Sequence, residues 1–174
     1  MSAGAAPPRP ERVRTARLVL QEVSVAEAAE LVDGRTAARD WLGGSPGEGT
    51  REGAGMVLRA AEAGYHSPGW GLYVIVRRED GAAVGGIGFH GPPADGSVEI
   101  GFDLVSPGRG HGYATESLGA LADTALHRPG VDRVVATAAR TNEPSQRVML
   151  RAGFTLVGPD DLGSLLTYEL TLPR

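Results

Sequence analysis

The chain has 174 residues, no cysteine, no lysine and a formal net charge of −4. That length suits one domain, which can bury roughly 70% of its unfolded surface and fold without disulfides or metal. The composition excludes a cysteine nucleophile, most zinc sites and a lysine-bearing Walker loop, and its acidic balance disfavours a general nucleic-acid binder.

Met1 to Pro10 is rich in alanine and proline and lacks the apolar core of a signal peptide. Residues 1–14 are expected to be a disordered tail ahead of a single domain over residues 15–174. No apolar run approaches the ~18 residues of a membrane span, so the chain reads as cytoplasmic. Residues 15–20 (T-A-R-L-V-L) read as the first strand. Ser24 caps a helix to about Val32, with Val25, Ala28, Ala29 and Val32 on one face. Residues 33–55 read as a loop, with glycines and prolines around Trp41 and Leu42. Residues 56–63 read as a second helix that Gly64 stops. Residues 70–76 and 82–90 read as strands joined by the polar turn 77–81. The second of these contains Gly86, Gly88 and Gly91 in G-x-G-x-x-G spacing. Ile87 and Phe89 alternate like a strand and Pro92-Pro93 follow, so the strand–turn–helix context of a dinucleotide site is missing.

Val98, Ile100, Phe102 and Leu104 alternate along a central strand over residues 98–105. Ala114, Leu118, Leu121, Ala122 and Ala125 recur at helical spacing in residues 112–127, which Pro129-Gly130 terminate. Between strand and helix stand Gly108, Gly110 and Gly112. The first N–H groups of a helix lack intrahelical partners and carry partial positive charge, and glycine lets backbone approach an anion closely. A strand, a glycine turn and a helix in succession therefore form a candidate phosphate site. Residues 133–138 read as a strand. Asn142 caps a helix through Ala152, with Pro144 in its first turn and Gly153 as its stop. Residues 154–157 and 165–172 close the chain as strands. The order is β-αα-βββ-α-β-α-ββ, an α/β mixed sheet with helices on both faces.

Arg109-Gly110-His111-Gly112-Tyr113-Ala114 matches Arg/Gln-x-x-Gly-x-Gly/Ala and resembles the acetyl-CoA pyrophosphate loop of the GNAT acetyltransferases. The T-x-R-L-x-L opening, Glu99-Ile100-Gly101-Phe102, Asn142-x-x-Ser145 and Gly153-Phe154 agree with it, and the opening resembles the RimJ/RimL-like branch, the ribosomal-protein N-terminal acetyltransferases. The resemblance implies the GNAT fold, with a split between the strand before the glycine loop and the strand after the helix. It implies acetyl-CoA as cosubstrate and no metal.

On that basis backbone N–H groups from Arg109, Gly110, His111, Gly112, Tyr113, Ala114 and Thr115 hold the cofactor. An unpaired N–H near Leu104 or Val105 faces the acetyl carbonyl, as an oxyanion hole does. The family usually places proline three residues before Arg109; Ser106 stands there, and Pro107 follows. Glu99 is the candidate general base, against an ordinary surface carboxylate; His90 is its rival. Asn142 meets the pantetheine arm in the family and also explains itself as an N-cap. Ser145 is the candidate acid toward the departing thiolate, against a plain first-turn serine. Many relatives carry tyrosine where Met149 stands; a thioether cannot donate a proton, so Met149 is assigned to the core. Glu116, in the first turn of the helix, is assigned a structural role. The acceptor is a primary amine: a protein N-terminal α-amine first, an aminoglycoside or polyamine next, with direct transfer because no cysteine can carry the acetyl group. A homodimer is implied by the relatives. The rivals are a non-catalytic acyl-CoA-binding protein and a nucleotide-binding module.

Overall fold

Apolar alternation and capping place most elements where they stand in the computed structural model, which describes residues 9–174. The order is β1 (Arg12–Arg14), β2 (Leu18–Glu22), α1 (Val25–Val32), α2 (Glu48–Glu62), β3 (Leu72–Arg77), β4 (Ala83–Phe89), β5 (Ser97–Leu104), α3 (Tyr113–Leu126), β6 (Arg133–Ala139), α4 (Glu143–Arg151), β7 (Thr155–Pro159) and β8 (Leu165–Leu170). The strands lie side by side as β1-β2-β3-β4-β5-β6-β8-β7. All neighbours are antiparallel except β5 and β6, which the crossover through α3 makes parallel.

The sheet has a core on each face. Leu118, Leu121, Ala122 and Ala125 of α3 and Met149 of α4 pack with Val98, Ile100 and Val134. On the other side Ala28 and Leu31 of α1 and Ala54 and Val57 of α2 pack with Leu72, Val74 and Val76. Buried on both faces, β3 and β4 are apolar nearly throughout. The Gly86–Gly88 run lies inside β4, as a strand rather than a phosphate loop. A capping box starts α1: Ser24 Oγ accepts from the Glu27 N–H (3.1 Å) and Glu27 Oε2 from the Ser24 N–H (2.8 Å).

Three expectations need correction. The tail assigned to residues 1–14 overlaps β1, whose Arg12, Val13 and Arg14 pair with Gln21, Leu20 and Val19; residues 1–8 lie outside the described residues. A strand thus precedes the first one expected. The loop assigned to residues 33–55 ends early, because α2 begins at Glu48 rather than Met56. Three glycines in its first half, Gly49, Gly53 and Gly55, hide the helix from propensity, since each costs about 1 kcal/mol relative to alanine. They are there for space: a β-carbon on Gly49 would lie 2.7 Å from Asp103 Cβ, and one on Gly53 3.1 Å from Leu72 Cδ1. Glycine lets α2 settle directly onto β3 and β5.

Candidate active site

Register opens the site. β5 and β6 pair at Ser97↔Arg133, Val98↔Val134 and Glu99↔Val135, and no further. Beyond Glu99 the two strands part. The other edge of β5 stays paired to β4 as far as Gly85↔Leu104. The His90 N–H donates to the Glu99 carbonyl (2.9 Å) and the Val105 N–H to the Val84 carbonyl (3.0 Å). Odd-numbered residues of β5 therefore face β4 with their backbone groups, and by the alternation of an antiparallel ladder Phe102 and Leu104 turn theirs toward the split. Of the two candidate oxyanion donors, Leu104 has the right parity. Val105 does not, because its N–H is committed to Val84.

A 3-10 turn at Ser106–Gly108 carries the chain from β5 to the glycine loop. Gly110 and Gly112 both hold φ of +81°. A side chain there is strained, which is why the loop needs glycine. Gly112 is the N-cap of α3, and the first helical bond closes from the Glu116 N–H to the Gly112 carbonyl (3.1 Å). The N–H groups of Tyr113, Ala114 and Thr115 are thus without intrahelical partners. Arg109 differs from expectation: its N–H donates to the Ser106 carbonyl (3.2 Å) and its Nε to the Leu104 carbonyl (3.2 Å), so its backbone is not part of the cradle. The His111 ring, exposed and stacked on Tyr113 with centroids 5.4 Å apart, is not a wall of the cleft.

The cleft holds roughly 610 Å³ between Phe102–Leu104 on one side, the loop and first turn of α3 on a second, and Asn142, Ser145 and Val148 of α4 on the third. Asn142 Oδ1 accepts from the Ser145 N–H (3.3 Å), so the N-cap orients the serine that lines the cleft. Met149 is 1% exposed and belongs to the core. Arg147 and Arg151, one turn apart on α4, add two guanidiniums to that of Arg109 at the walls. Sequence reading passed over both. Their i, i+4 spacing two residues after Ser145 was the available signal. Among the described residues nothing lies within 4 Å of a β-carbon built on Gly110. Free N–H groups, a helix N-terminus, three arginines and open space beside Gly110 together fit a phosphate-bearing ligand with a long arm.

Glu116 ties this loop to the sheet. Its carboxylate accepts from Thr15 Oγ1 (2.7 Å), the Arg17 N–H (3.1 Å) and Arg17 Nε (2.9 Å), and Arg17 Nη1 donates to the His111 carbonyl (2.8 Å). Burial opposes the Glu116 charge, but these bonds outweigh it and hold the carboxyl below the usual range.

A second cavity of about 260 Å³ lies on the opposite face, beneath α2. Its floor is Gly86, Gly88 and Gly101, and Glu52 and Asp103 place carboxylates on it. Phe102 and Asp103 border both cavities, so the two meet at the split. Glu99 stands on this face at the last paired rung. Its Oε2 lies 3.4 Å from His90 Nδ1, and Thr137 Oγ1 donates to its Oε1 at 3.4 Å. The hydrogen-bonded His90 ring holds the Glu99 carboxyl below the usual range, against partial burial, which raises it.

The Acetyltransferase (GNAT) domain model matches residues 17–155. The chain belongs to the GNAT acetyltransferase family. Among curated proteins it resembles the uncharacterized N-acetyltransferase YjdG of Bacillus subtilis, 36% identical over 89 residues. That match covers 51% of this chain and 53% of YjdG, so the chain spans about half the length of that relative. A structure described as a GNAT-family acetyltransferase from Bordetella pertussis superposes with a TM-score of 0.61 at 30% identity, covering 91% of this chain and 98% of that one. RimL, a ribosomal L7/L12 alpha-N-protein acetyltransferase in complex with coenzyme A, superposes at 0.66 with 22% identity over 93% and 98% of the two chains. Among the described residues no helix is long and apolar enough to cross a membrane.

Proposed function

We propose that this GNAT chain is an acetyl-CoA-dependent N-acetyltransferase of the RimJ/RimL-like branch, acting on a primary amine, first of all a protein N-terminal α-amine. One observation carries the reading: two cavities on opposite faces of the sheet meet at the unpaired edge of β5. A donor and an acceptor entering from opposite sides would come together at Phe102–Leu104. The resemblance to RimL supports the N-terminal acceptor, as do Glu52 and Asp103, whose charge suits a cationic amine.

Acetyl-CoA supplies the activated acetyl group. The backbone N–H groups of Gly110, Gly112, Tyr113, Ala114 and Thr115 hold its phosphates, with Arg109, Arg147 and Arg151 nearby. The Leu104 N–H faces the split and can stabilise a developing oxyanion. Ser145, oriented by Asn142, donates a proton toward the leaving thiolate. The amine proton is taken on the other face, where Glu99 and His90 stand as a pair. With no cysteine in the chain, transfer is direct. Cytoplasmic residence and a homodimer belong to the same proposal, and fractionation and light scattering test them.

The deciding experiment is a thermal-shift comparison of CoA, acetyl-CoA, ATP and NAD, followed by thiol release over N-terminal peptides and small amines. Protection by CoA species together with turnover of a seryl-initiated peptide is the expected result. Turnover of polyamines or aminoglycosides alone would move the acceptor to small molecules. Protection by ATP or NAD without CoA would refute the family activity for this chain.

A further inference from the structure

We propose that His90 is the catalytic base of the transfer and that Glu99 is its positioning residue. The inference rests on the N-acetyltransferase reading above and assigns roles within its acceptor side. His90 and Glu99 are opposite residues across the β4–β5 ladder, joined by the bond from the His90 N–H to the Glu99 carbonyl (2.9 Å). Opposite residues of an antiparallel pair project on the same face, so their side chains meet there, with Nδ1 3.4 Å from Oε2.

The direction of the ring matters most. A β-carbon built on Gly101 would stand 3.2 Å from His90 Nε2. The imidazole thus lies over Gly101, two residues past Glu99 along β5. Glu99 sits on the last β5–β6 rung, at the closed end of the split, and the ring reaches from there along the open part. His90, Gly101, Phe102 and Asp103 wall the same cavity. Glycine at position 101 is what leaves room for the ring.

Both oxygens of Glu99 have partners: Oε2 faces His90 and Oε1 accepts from Thr137. A carboxylate so held is a poor base. The Nδ1 edge of the ring faces Oε2, and its Nε2 edge, the one nearest Gly101, turns to the cavity, where its lone pair can take a proton. Imidazoles titrate about two units above carboxylates as a class, nearer to neutral pH, where a general base works best. The other charged or titratable groups around this ring are Asp103 on β5, Glu52 and Arg59 on α2, and Tyr65 and His66 ahead of β3.

The acceptor enters as an ammonium and leaves as an amide, so its nitrogen loses two protons as the N–C bond forms and the C–S bond breaks. One goes to Nε2, giving an imidazolium that Glu99 stabilises, and from there to solvent. The other leaves with the thiolate as thiol.

The test uses the full chain with acetyl-CoA and a seryl-initiated peptide, or whichever amine of the panel turns over. His90→Gln should lower kcat/KM by about 100- to 10,000-fold and remove the acidic limb of the pH–rate profile, with CoA affinity unchanged. Glu99→Gln should lower it less and leave that limb in place, because the ring remains but is held less firmly. Proton NMR gives a second measure that needs no acceptor. The imidazole resonance missing in His90→Gln should change its chemical shift in Glu99→Gln, because the ring loses the carboxylate 3.4 Å from Nδ1. A limb that survives His90→Gln but vanishes in Glu99→Gln would make the carboxylate the base and overturn the assignment. An unchanged His90 resonance in Glu99→Gln would dissolve the pair. A chain that binds CoA but acetylates no amine would refute the activity itself, and the base with it.

Discussion

Gly112 caps α3 at φ +81°, where only glycine is unstrained, and Gly112→Val therefore addresses the phosphate loop directly. Its β-carbon would stand 3.3 Å from Arg17 Nη2. That atom is the far end of a flexible side chain and can move, so the cost is mainly backbone strain, about 1–3 kcal/mol. A domain of this size has roughly 5–15 kcal/mol of stability, and the fold should survive. Relieving the strain means rotating the peptide units on either side of Gly112, which turns the N–H groups of Gly112 and Tyr113 away from the cleft. A hydrogen bond to a charged group contributes about 1.5–3 kcal/mol, so losing one weakens CoA binding about 10- to 100-fold. Calorimetry with CoA measures this. Gly130→Val is the control: φ is +84°, the nearest atom is Pro93 Cγ at 4.0 Å, and the site is beyond the far end of α3. It should lower the melting temperature by a similar amount and leave CoA affinity alone. Equal CoA affinity in Gly112→Val and the unsubstituted chain would refute the loop as the phosphate site.

The other predictions concern the acid, the loop anchor and the packing of α3. Ser145→Ala should lower kcat by less than His90→Gln with acetyl-CoA affinity nearly unchanged, since water can protonate a thiolate whose conjugate acid has a pKa near 8.5; steady-state kinetics check it. Glu116 has a lowered carboxyl pKa in the folded chain, so its contribution is present above the unfolded value of about 4.3 and is lost as pH falls through the folded one. The melting-temperature gap between the unsubstituted chain and Glu116→Gln should thus be full at pH 7 and close at strongly acid pH. Arg128, at the end of α3, donates to Glu11 (2.6 Å) and the Gly69 carbonyl (2.7 Å) and lies 4.5 Å over the Trp70 ring. Arg128→Met leaves the half-buried Glu11 carboxylate without its cationic partner and with the Tyr73 hydroxyl as its remaining side-chain donor (3.1 Å). The loss for a buried pair, discounted for exposure, is about 2–3 kcal/mol, or a melting point lower by roughly 5–10 °C, readable by calorimetry.

The chain order of strands and helices from β2 onward, the glycine loop and the N-caps at Ser24 and Asn142 were legible in the sequence, because periodicity, caps and breakers are local, whereas β1 was missed. So was the assignment of Met149 to the core, since its apolar, aprotic side chain suits nothing else there. Helix α2 was half-hidden. Its glycines lower helix propensity, and their purpose, close approach to Asp103 and Leu72, involves strands far away in the chain. Propensity counts neighbours in sequence and cannot register a contact that spans fifty residues. The hydrogen-bonding parity of β5 is of the same kind. Which of Leu104 and Val105 faces the split depends on the β4–β5 register, and only pairing sets that. The Arg109 N–H likewise left the cradle for a carbonyl three residues back, through a 3-10 turn that no pattern announced. His90 and Glu99 are nine residues apart and read as rivals along the chain. The hairpin between them turns the chain back, places them opposite each other on one face, and makes them a pair.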